Sequence, residues 1–248
     1  MRTRTVLIGA VAVLVVLGAG VLWFTGRESI EEVDLDRAVA DLVESGTDAD
    51  AVARGEGESD PADAAFEPTG TWIVDPDVVG FDSATGAGSW VGYRIDEELS
   101  GVGAFTAVGR SPRVEGEIVI EGSRVTAAEI RADLVGLVSD NGNRDARVRP
   151  LFTDRPVTFT LSEPFDFGAV PEEGQRVAVT AAGVLRIGDI EQDVSVELSA
   201  DVVGQRLVVA GSTIVTLADF DVRVPSAPIV LSVSEVATIE LQLYLSRG

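Results

Sequence analysis

Apolar and polar residues alternate with a period of two over most of the carboxyl-terminal part of the chain. In 179–187 and 194–200 every second residue is apolar, and the residues between them are largely polar or small. The same alternation returns in 114–120, 157–161 and 237–245. Successive side chains of a β-strand point to opposite faces, so the pattern predicts strands that each bury one face.

Short turn signals separate these apolar runs. They are Asn141-Gly142, Gly188-Asp189, Gly204-Gln205 and the Pro171–Gly174 segment. About eight short strands result, and closing them removes exposed sheet edges. We therefore predict an all-β fold, an antiparallel barrel of about eight strands, with a sandwich as the alternative. A barrel of this size is just wide enough to enclose one slender apolar ligand.

The amino-terminal segment has a different pattern, an uncharged apolar run over 6–24. Its length matches a bilayer core, so it predicts one transmembrane helix. A cleaved secretory signal is the alternative, but its apolar region would be shorter and end in a small-x-small site. We therefore favour an uncleaved signal anchor. Arg2 and Arg4 precede the span, so we expect a cytoplasmic amino terminus and a single-pass cell-membrane protein with its β domain outside the cytoplasm.

Acidic residues dominate the segment between the predicted anchor and the β domain, which makes it self-repelling. Residues 28–43 carry apolar residues at loosely helical spacing, which is compatible with a short helix. Residues 46–63 have the composition of a disordered stretch. The predicted organisation is therefore an anchor over 1–26, a partly disordered acidic spacer over 27–70 and the β domain over 71–248.

Composition excludes several classes of function. The formal net charge is -22, so a nucleic acid would be repelled by most of the surface. The chain contains no Cys, His or Lys, which removes thiolate nucleophiles, imidazole bases and Schiff-base chemistry together with the usual zinc ligands. We therefore predict a binding protein and not an enzyme. Hydrolysis by paired carboxylates stays open as a third alternative, because acidic pairs are indistinguishable from surface charge in a sequence.

Several segments taken in order resemble the YceI-like family of extracytoplasmic proteins. They are Thr71–Asp75, Trp90–Leu99, Ala107–Arg110, Val114–Ile118, Ser139–Asp145, Leu151–Phe159, Gly183–Val194 and Leu217–Val222. The chain departs from the family pattern at Ala146, where many members have His, and at Asp221, where a Gly usually follows the Asp-Phe pair. These departures affect the expected polar contacts at the tunnel mouth more than the expected fold.

The resemblance implies a lipocalin-like barrel with a tunnel for a polyisoprenoid chain, in a family with no agreed enzymatic activity. The expected partners are an isoprenoid lipid, such as a quinone or polyprenyl chain, and the membrane reached through the anchor. No cofactor is expected beyond that lipid. Arg144 and Arg147 are the candidates for the lipid head group. The candidate lumen residues are Tyr93, Ile118, Ile120, Phe152, Phe159, Leu161, Leu185, Ile187, Val196, Leu198, Ile239 and Leu241.

Other interpretations of these residues stay open. The apolar faces could fill a solid barrel, and the protein would then be an interaction module of the cell envelope. Arg144 could pair with Asp145 or with a neighbouring strand. The 140–145 segment superficially resembles a calcium loop, but its Gly and acidic residues fall at the wrong positions, so no metal site is predicted. The sequence does not distinguish storage of a lipid from its transfer, and it does not identify the lipid.

Overall fold

The computed structural model describes residues 30–53, 66–169, 174–225 and 227–248, and within 47–53 it describes the backbone alone. The predicted membrane span over 6–24 lies outside these residues. In the described ranges, no helix combines the length and the apolar character needed to cross a bilayer.

Thirteen strands and two α-helices make up the described chain, with short 3₁₀ turns at Leu134–Gly136, Arg149–Phe152 and Leu217–Phe220. The helices are α1 (Leu35–Ala53) and α2 (Gly142–Val148). The strands are β1 (Gly70–Val74), β2 (Trp90–Leu99), β3 (Gly103–Ser111), β4 (Val114–Glu121), β5 (Arg124–Ala132), β6 (Val138–Ser139), β7 (Val157–Leu161), β8 (Phe165–Asp166), β9 (Val177–Ile187), β10 (Ile190–Val203), β11 (Arg206–Thr216), β12 (Val230–Val233) and β13 (Val236–Arg247).

The sheet closes through β13, which is hydrogen-bonded along both edges. One edge pairs with β11, and β2 and β1 share the other, with Tyr93 opposite Ile239 and Val74 opposite Leu245. Strands β1 and β2 thus lie one after the other and share one position in the ring. The next position is shared by β4, which pairs with β1, and β3, which pairs with β2. The position after that is shared by β5, which pairs with β4, and β6, which pairs with β3. Counting each shared position once gives an antiparallel ring of eight: β1/β2, β3/β4, β5/β6, β7, β9, β10, β11 and β13. The predicted closed barrel of about eight strands is confirmed, in chain order.

Alternation in the sequence corresponds to alternation of burial in the barrel wall. In β9, Leu185 and Ile187 are buried while Arg186 between them is exposed. Gly188 and Gly204 make the hairpins after β9 and β10, with φ of 63° and 57°, values that only Gly adopts easily. The turn between strands that was predicted at Asn141-Gly142 is wrong. The Asn141 side chain instead accepts hydrogen bonds from the backbone N–H groups of Asn143 and Arg144 and caps α2.

The two ends of the barrel differ. We call the end at which β2 finishes and β13 begins the mouth, and the opposite end the closed end. Trp72, Val202 and Leu245 fill the closed end and are at most 1% exposed. The Trp72 ring lies 5.4 Å from that of Phe66, and its Nε1–H donates to the Pro68 carbonyl at 2.7 Å. This end is therefore packed like an ordinary protein core.

Helix α1 packs against the outside of the barrel. Its Leu35, Ala38 and Leu42 are buried against a group on the outer face that includes Val208 and Tyr244. The Tyr244 hydroxyl donates to the Ala38 carbonyl at 2.9 Å. The helix reaches Ala53, well beyond the helical spacing seen over 28–43. Residues of the predicted spacer, which was placed before residue 71, therefore pack against the barrel.

A buried charged cluster holds the segment that precedes α1. Glu240, 2% exposed, accepts from the Val33 N–H at 3.2 Å and from Arg94 Nε at 3.3 Å. Arg94 also donates to the Ile30 carbonyl, and Arg110 Nη2 donates to the Glu31 carbonyl at 2.7 Å. Burial lowers the pKa of Arg110 to about 10, whereas the attraction of Glu240 opposes that shift.

Replacing Glu240 with Gln should lower the free energy of unfolding by roughly 3 kcal/mol, because two largely buried arginines lose the carboxylate that faces them. Glu115→Gln is the matched control, since Glu115 is 77% exposed in its side chain and lies 4.0 Å from Arg131. We expect that change to stay within about 0.5 kcal/mol. Urea unfolding of the full chain in mild detergent, followed by tryptophan fluorescence, measures both. Equal effects of the two variants would contradict the structural role of the cluster.

Candidate functional site

An apolar cavity of about 150 Å³ lies inside the mouth half of the barrel, and we call it the outer cavity. Strands β2, β11 and β13 form one side of it, and α2 with residues from 217–225 and 227–230 covers the other. Its walls include the exposed residues Asn143 and Arg147, so it reaches the surface at the mouth. Most of its lining side chains are aliphatic or aromatic, which suits an apolar ligand.

A second cavity of about 80 Å³, the inner cavity, lies deeper in the barrel. The two cavities share Val91, Val157 and Ile239 in their walls, so they lie end to end along the barrel axis. Apart from Thr213, the inner cavity is lined by apolar side chains only. The packed closed end stops the lumen beyond it.

The lumen stays open because many inward side chains are short. Ala128, Ala132 and Val209 line the inner cavity, and such side chains do not meet across an eight-stranded barrel. Gly183 has a related effect: a Cβ at this position would lie 2.4 Å from the Phe159 ring. Glycine therefore lets the Phe159 ring lie against the wall instead of projecting across the lumen.

Polar side chains line the outer cavity near its mouth; besides Asn141, Asn143 and Arg147 they are Tyr93, Glu97 and Arg144. Arg144 Nη1 lies 2.6 Å from Asp140 Oδ1, and its Nη2 lies 3.9 Å from Glu97 Oε2. The guanidinium also stands 5.3 Å from the centre of the Phe105 ring. Burial raises the pKa of Glu97 and that of Tyr93, while Arg144 lowers both less strongly. Of the two interpretations of Arg144, the structure therefore supports pairing, with Asp140 and Glu97 in place of Asp145.

The 139–149 segment presents Arg144 to the cavity through its own hydrogen bonds. Asp145 is buried and accepts from the backbone N–H and the hydroxyl of Ser139. Arg149 Nε donates to the Leu137 carbonyl at 2.6 Å and its Nη2 to Asp145 at 3.4 Å. These neighbouring residues therefore have different roles: Arg144 faces the cavity, and Asp145 fixes the conformation of the loop.

The structure places twelve of the fourteen predicted site residues in the cavity walls. The outer cavity takes Tyr93, Phe152, Ile187, Ile239, Arg144 and Arg147; the inner cavity takes Ile118, Phe159, Leu185, Val196, Leu198, Leu241 and, again, Ile239. Ile120 and Leu161 line neither cavity; Ile120 belongs to the buried core, and Leu161 is partly buried against it. Both lie where their strands run on toward the closed end, Ile120 opposite Gly70 and Leu161 opposite Gly183.

Sequence reasoning missed the part of the site that loops contribute. Val222, Val224, Ile229 and Val230 line the outer cavity from the segment between β11 and β13. The available signal was the apolar character of 222–233, which is unusual for a connection between strands.

Carboxylates are scarce in the site. Among the residues that line the two described cavities, Glu97 is the one acidic side chain, and it faces Arg144. The described residues also contain no group of three or more His, Cys, Asp or Glu side chains placed to hold a metal ion. The arrangement is therefore that of an apolar binding site with a small polar mouth.

Comparison with known proteins places this geometry in a family. The model of the YceI-like domain matches residues 87–245. Among curated proteins, none matches the chain. A polyisoprenoid-binding domain from Saccharophagus degradans, implicated in plant cell wall breakdown, is 16% identical, with a TM-score of 0.54 over 71% of this chain and 98% of its own.

Two further solved structures have lower scores. Burkholderia cenocepacia BcnA is 15% identical, with a TM-score of 0.46 over 63% of this chain and 95% of its own. A Campylobacter jejuni YCEI protein is 13% identical, with a TM-score of 0.43 over 56% and 85%. At these identities the similarities concern the fold.

A matched pair of Leu→Trp substitutions distinguishes lumen from packed core. Leu185 lines the inner cavity, whereas Leu245 is 0% exposed and lies in the closed end. We expect Leu245→Trp to lower the free energy of unfolding by roughly 1–3 kcal/mol through overpacking. Leu185→Trp should leave it close to that of the unmodified chain, because the added ring enters empty space. Chemical unfolding of both variants measures this, and an equal loss of stability would mean that the two sites are packed alike.

Proposed function

Because the chain belongs to the YceI-like domain family, we propose that it holds the chain of an isoprenoid lipid in its barrel and works as an extracytoplasmic lipid-binding protein tethered to the cell membrane. The observation that carries the proposal is the pair of end-to-end apolar cavities behind a polar mouth. The polyisoprenoid binding described for the Saccharophagus degradans domain supports the choice of ligand.

The lumen suits a long and slender ligand. Each methylene equivalent taken from water gains roughly 0.8 kcal/mol, so several isoprene units would be held tightly and released slowly. Val91, Val157 and Ile239 stand where the two cavities meet, and their side chains would adjust as a chain passes them. A quinone or a polyprenyl chain has the required shape.

The polar end of the lipid would lie among the arginines of α2. Arg147 is exposed and lines the outer cavity, and no other described residue forms an ion pair with it. Arg144 is committed to Asp140 and Glu97, so it offers a head group its remaining N–H donors. We therefore assign Arg147 to direct contact with a head group and Arg144 to the polar lining of the mouth.

The tether is the predicted anchor over 6–24, which would keep the barrel beside the membrane that supplies its ligand. The alternative of a solid-barrel interaction module has less support, because two cavities occupy the barrel axis. In the lining of the two cavities the one acidic side chain, Glu97, faces Arg144, which gives hydrolysis by paired carboxylates little support. Binding is therefore the function we propose.

Extraction of the purified full chain with organic solvent, followed by mass spectrometry, tests this proposal. We expect a stoichiometric isoprenoid lipid from the unmodified chain and a large loss of it from folded Leu185→Trp, because the indole occupies the inner cavity. Leu185→Val is the matched control that leaves the space open, and it should retain the lipid. An unmodified chain that yields no lipid, together with an unfolded Leu185→Trp, would reject the proposal and favour the interaction module.

Substitution of Arg147 by Gln tests the head-group assignment. It should weaken retention of the lipid during washing with detergent and leave the free energy of unfolding nearly unchanged, because the side chain is exposed. Arg206→Gln is the matched control, an exposed arginine on the hairpin at the closed end of the barrel. Equal retention in the two variants would remove Arg147 from the site.

A further inference from the structure

Large apolar side chains are exposed around the mouth. Ile229 and Leu231 are 44% and 65% exposed beside and within β12, and Ile214 and Val236 are 72% and 46% exposed on β11 and β13. We call these four residues the apolar rim. The other exposed large apolar residues of the described chain are Val43 on α1 and Ile73 at the closed end. Concentration of such side chains at one end of a domain marks an interaction surface.

The apolar rim is continuous with the lumen. Ile229 also lines the outer cavity, and its carbonyl accepts from the Ser100 N–H at 2.8 Å, which holds it beside the end of β2. Val236 pairs with Thr216, and Ile214 precedes Thr216 by two residues on the same outer face. Diagonal neighbours of this kind contact each other across antiparallel strands. The four residues therefore form a surface at the opening of the lipid site.

The path of the amino-terminal segment shows from which end the chain arrives. The Ile30 carbonyl accepts from Arg94, which lies opposite Thr238 of β13. Farther along the chain, Val33 contacts Glu240 and Ala38 contacts Tyr244. The contacts thus move along β13 away from its start, and β13 starts at the mouth. The chain therefore enters from the mouth side of the barrel.

Chain length limits how far the mouth lies from the predicted anchor. The predicted span ends at Phe24, six residues before Ile30, and six residues reach at most about 20 Å. From Arg94 to Leu99 at the mouth, β2 covers about 17 Å. With residues 6–24 in a bilayer, the mouth is the end of the barrel nearest the membrane.

The charge of residues 222–234, which include Ile229 and Leu231 of the apolar rim, also suits a position beside the membrane. In a chain with a net charge of -22, residues 222–234 contain Arg223 and no acidic residue. Arg223 has a side chain that is 91% exposed, and its one ion pair among the described residues is a 3.8 Å contact with the exposed Asp221. Within 222–234 the repulsion from anionic lipid head groups is therefore small, and the exposed Glu98 and Glu235 lie at the edges of this segment.

We infer that the apolar rim docks on the bilayer, with Ile229 and Leu231 entering the interfacial region and the outer cavity opening toward the lipid. This inference rests on the proposed lipid-binding function and adds the membrane surface as the second partner of the same site. A lipid would then pass between bilayer and lumen without crossing water. The docked side chains replace exposed apolar surface with contact to acyl chains.

Single-cysteine labelling tests the docking, because the chain has no native cysteine to compete for the label. Leu231→Cys and Ile73→Cys are each labelled with an environment-sensitive fluorophore, in the full chain reconstituted into phosphatidylethanolamine and phosphatidylglycerol vesicles that contain brominated acyl chains. Ile73 is the matched control, an exposed apolar residue at the closed end. We expect the label at position 231 to lose most of its fluorescence to the bromolipid, and the label at position 73 to keep it and be quenched by iodide in solution.

Two outcomes would overturn the docking inference. A label at position 231 that iodide quenches and bromolipid does not lies in water, and a label shielded from both is covered by protein, such as a second copy of the chain. Leu231→Ser without label adds an independent measurement, since it should slow the transfer of a fluorescent isoprenoid from vesicles, whereas Ile73→Ser should not.

Solvent extraction of the same preparations before reconstitution separates this inference from the proposed function. Bound lipid with a rim exposed to iodide leaves the lipid-binding proposal standing and rejects docking. A rim quenched by bromolipid in a chain that yields no isoprenoid rejects the ligand and leaves a membrane-docked barrel.

Discussion

Both hydrogen-bonded edges of β13 are needed to close the sheet, and beyond its exposed first residue, Val236, most of both its faces is covered. Ile239, Leu241 and Leu243 face the lumen, whereas Glu240 and Tyr244 face outward beneath the amino-terminal segment. A strand that alternates apolar and polar residues ordinarily separates core from water. Strand β13 instead separates the apolar lumen from a second buried region, which is partly polar and lies between the barrel and the amino-terminal segment. Closure of the barrel, the shape of the lumen and the position of the amino-terminal segment therefore depend on this one strand.

The buried region between the barrel and the amino-terminal segment binds that segment specifically because it contains polar groups. Val208 and Tyr244 would accept many apolar helices, but Glu240, Arg94 and Arg110 bind particular backbone groups at Ile30, Glu31 and Val33. Such groups are expensive to bury and are stable only with their partners in place. The cluster therefore selects one register of the segment, and it is this register that brings the amino-terminal chain in from the mouth side.

Local patterns in the sequence predict the fold well. Alternation predicted β9, β10 and β13 as strands, and the glycines at 188 and 204 predicted the turns after β9 and β10. These signals were sufficient because two-residue hairpins join β9 to β10 and β10 to β11. Asn141-Gly142 was misread because the same residue type both makes turns and caps helices. The burial of Glu240 and Tyr244 was not predictable, since their covering residues lie about two hundred positions earlier in the chain. Alternation also gives the face of a residue and not whether that face borders empty space, so it could not separate Ile120 and Leu161 from the residues that line the cavities.

The plug formed by Trp72, Val202 and Leu245 has a consequence for selectivity. A lumen that is closed at one end has a fixed depth, so it distinguishes hydrocarbon chains by their length. A hydrocarbon no longer than that depth would be wholly enclosed, whereas the excess of a longer one would remain outside. The closed end would also fix the orientation of the bound molecule, since one with a bulky polar terminus could enter only with its apolar end first.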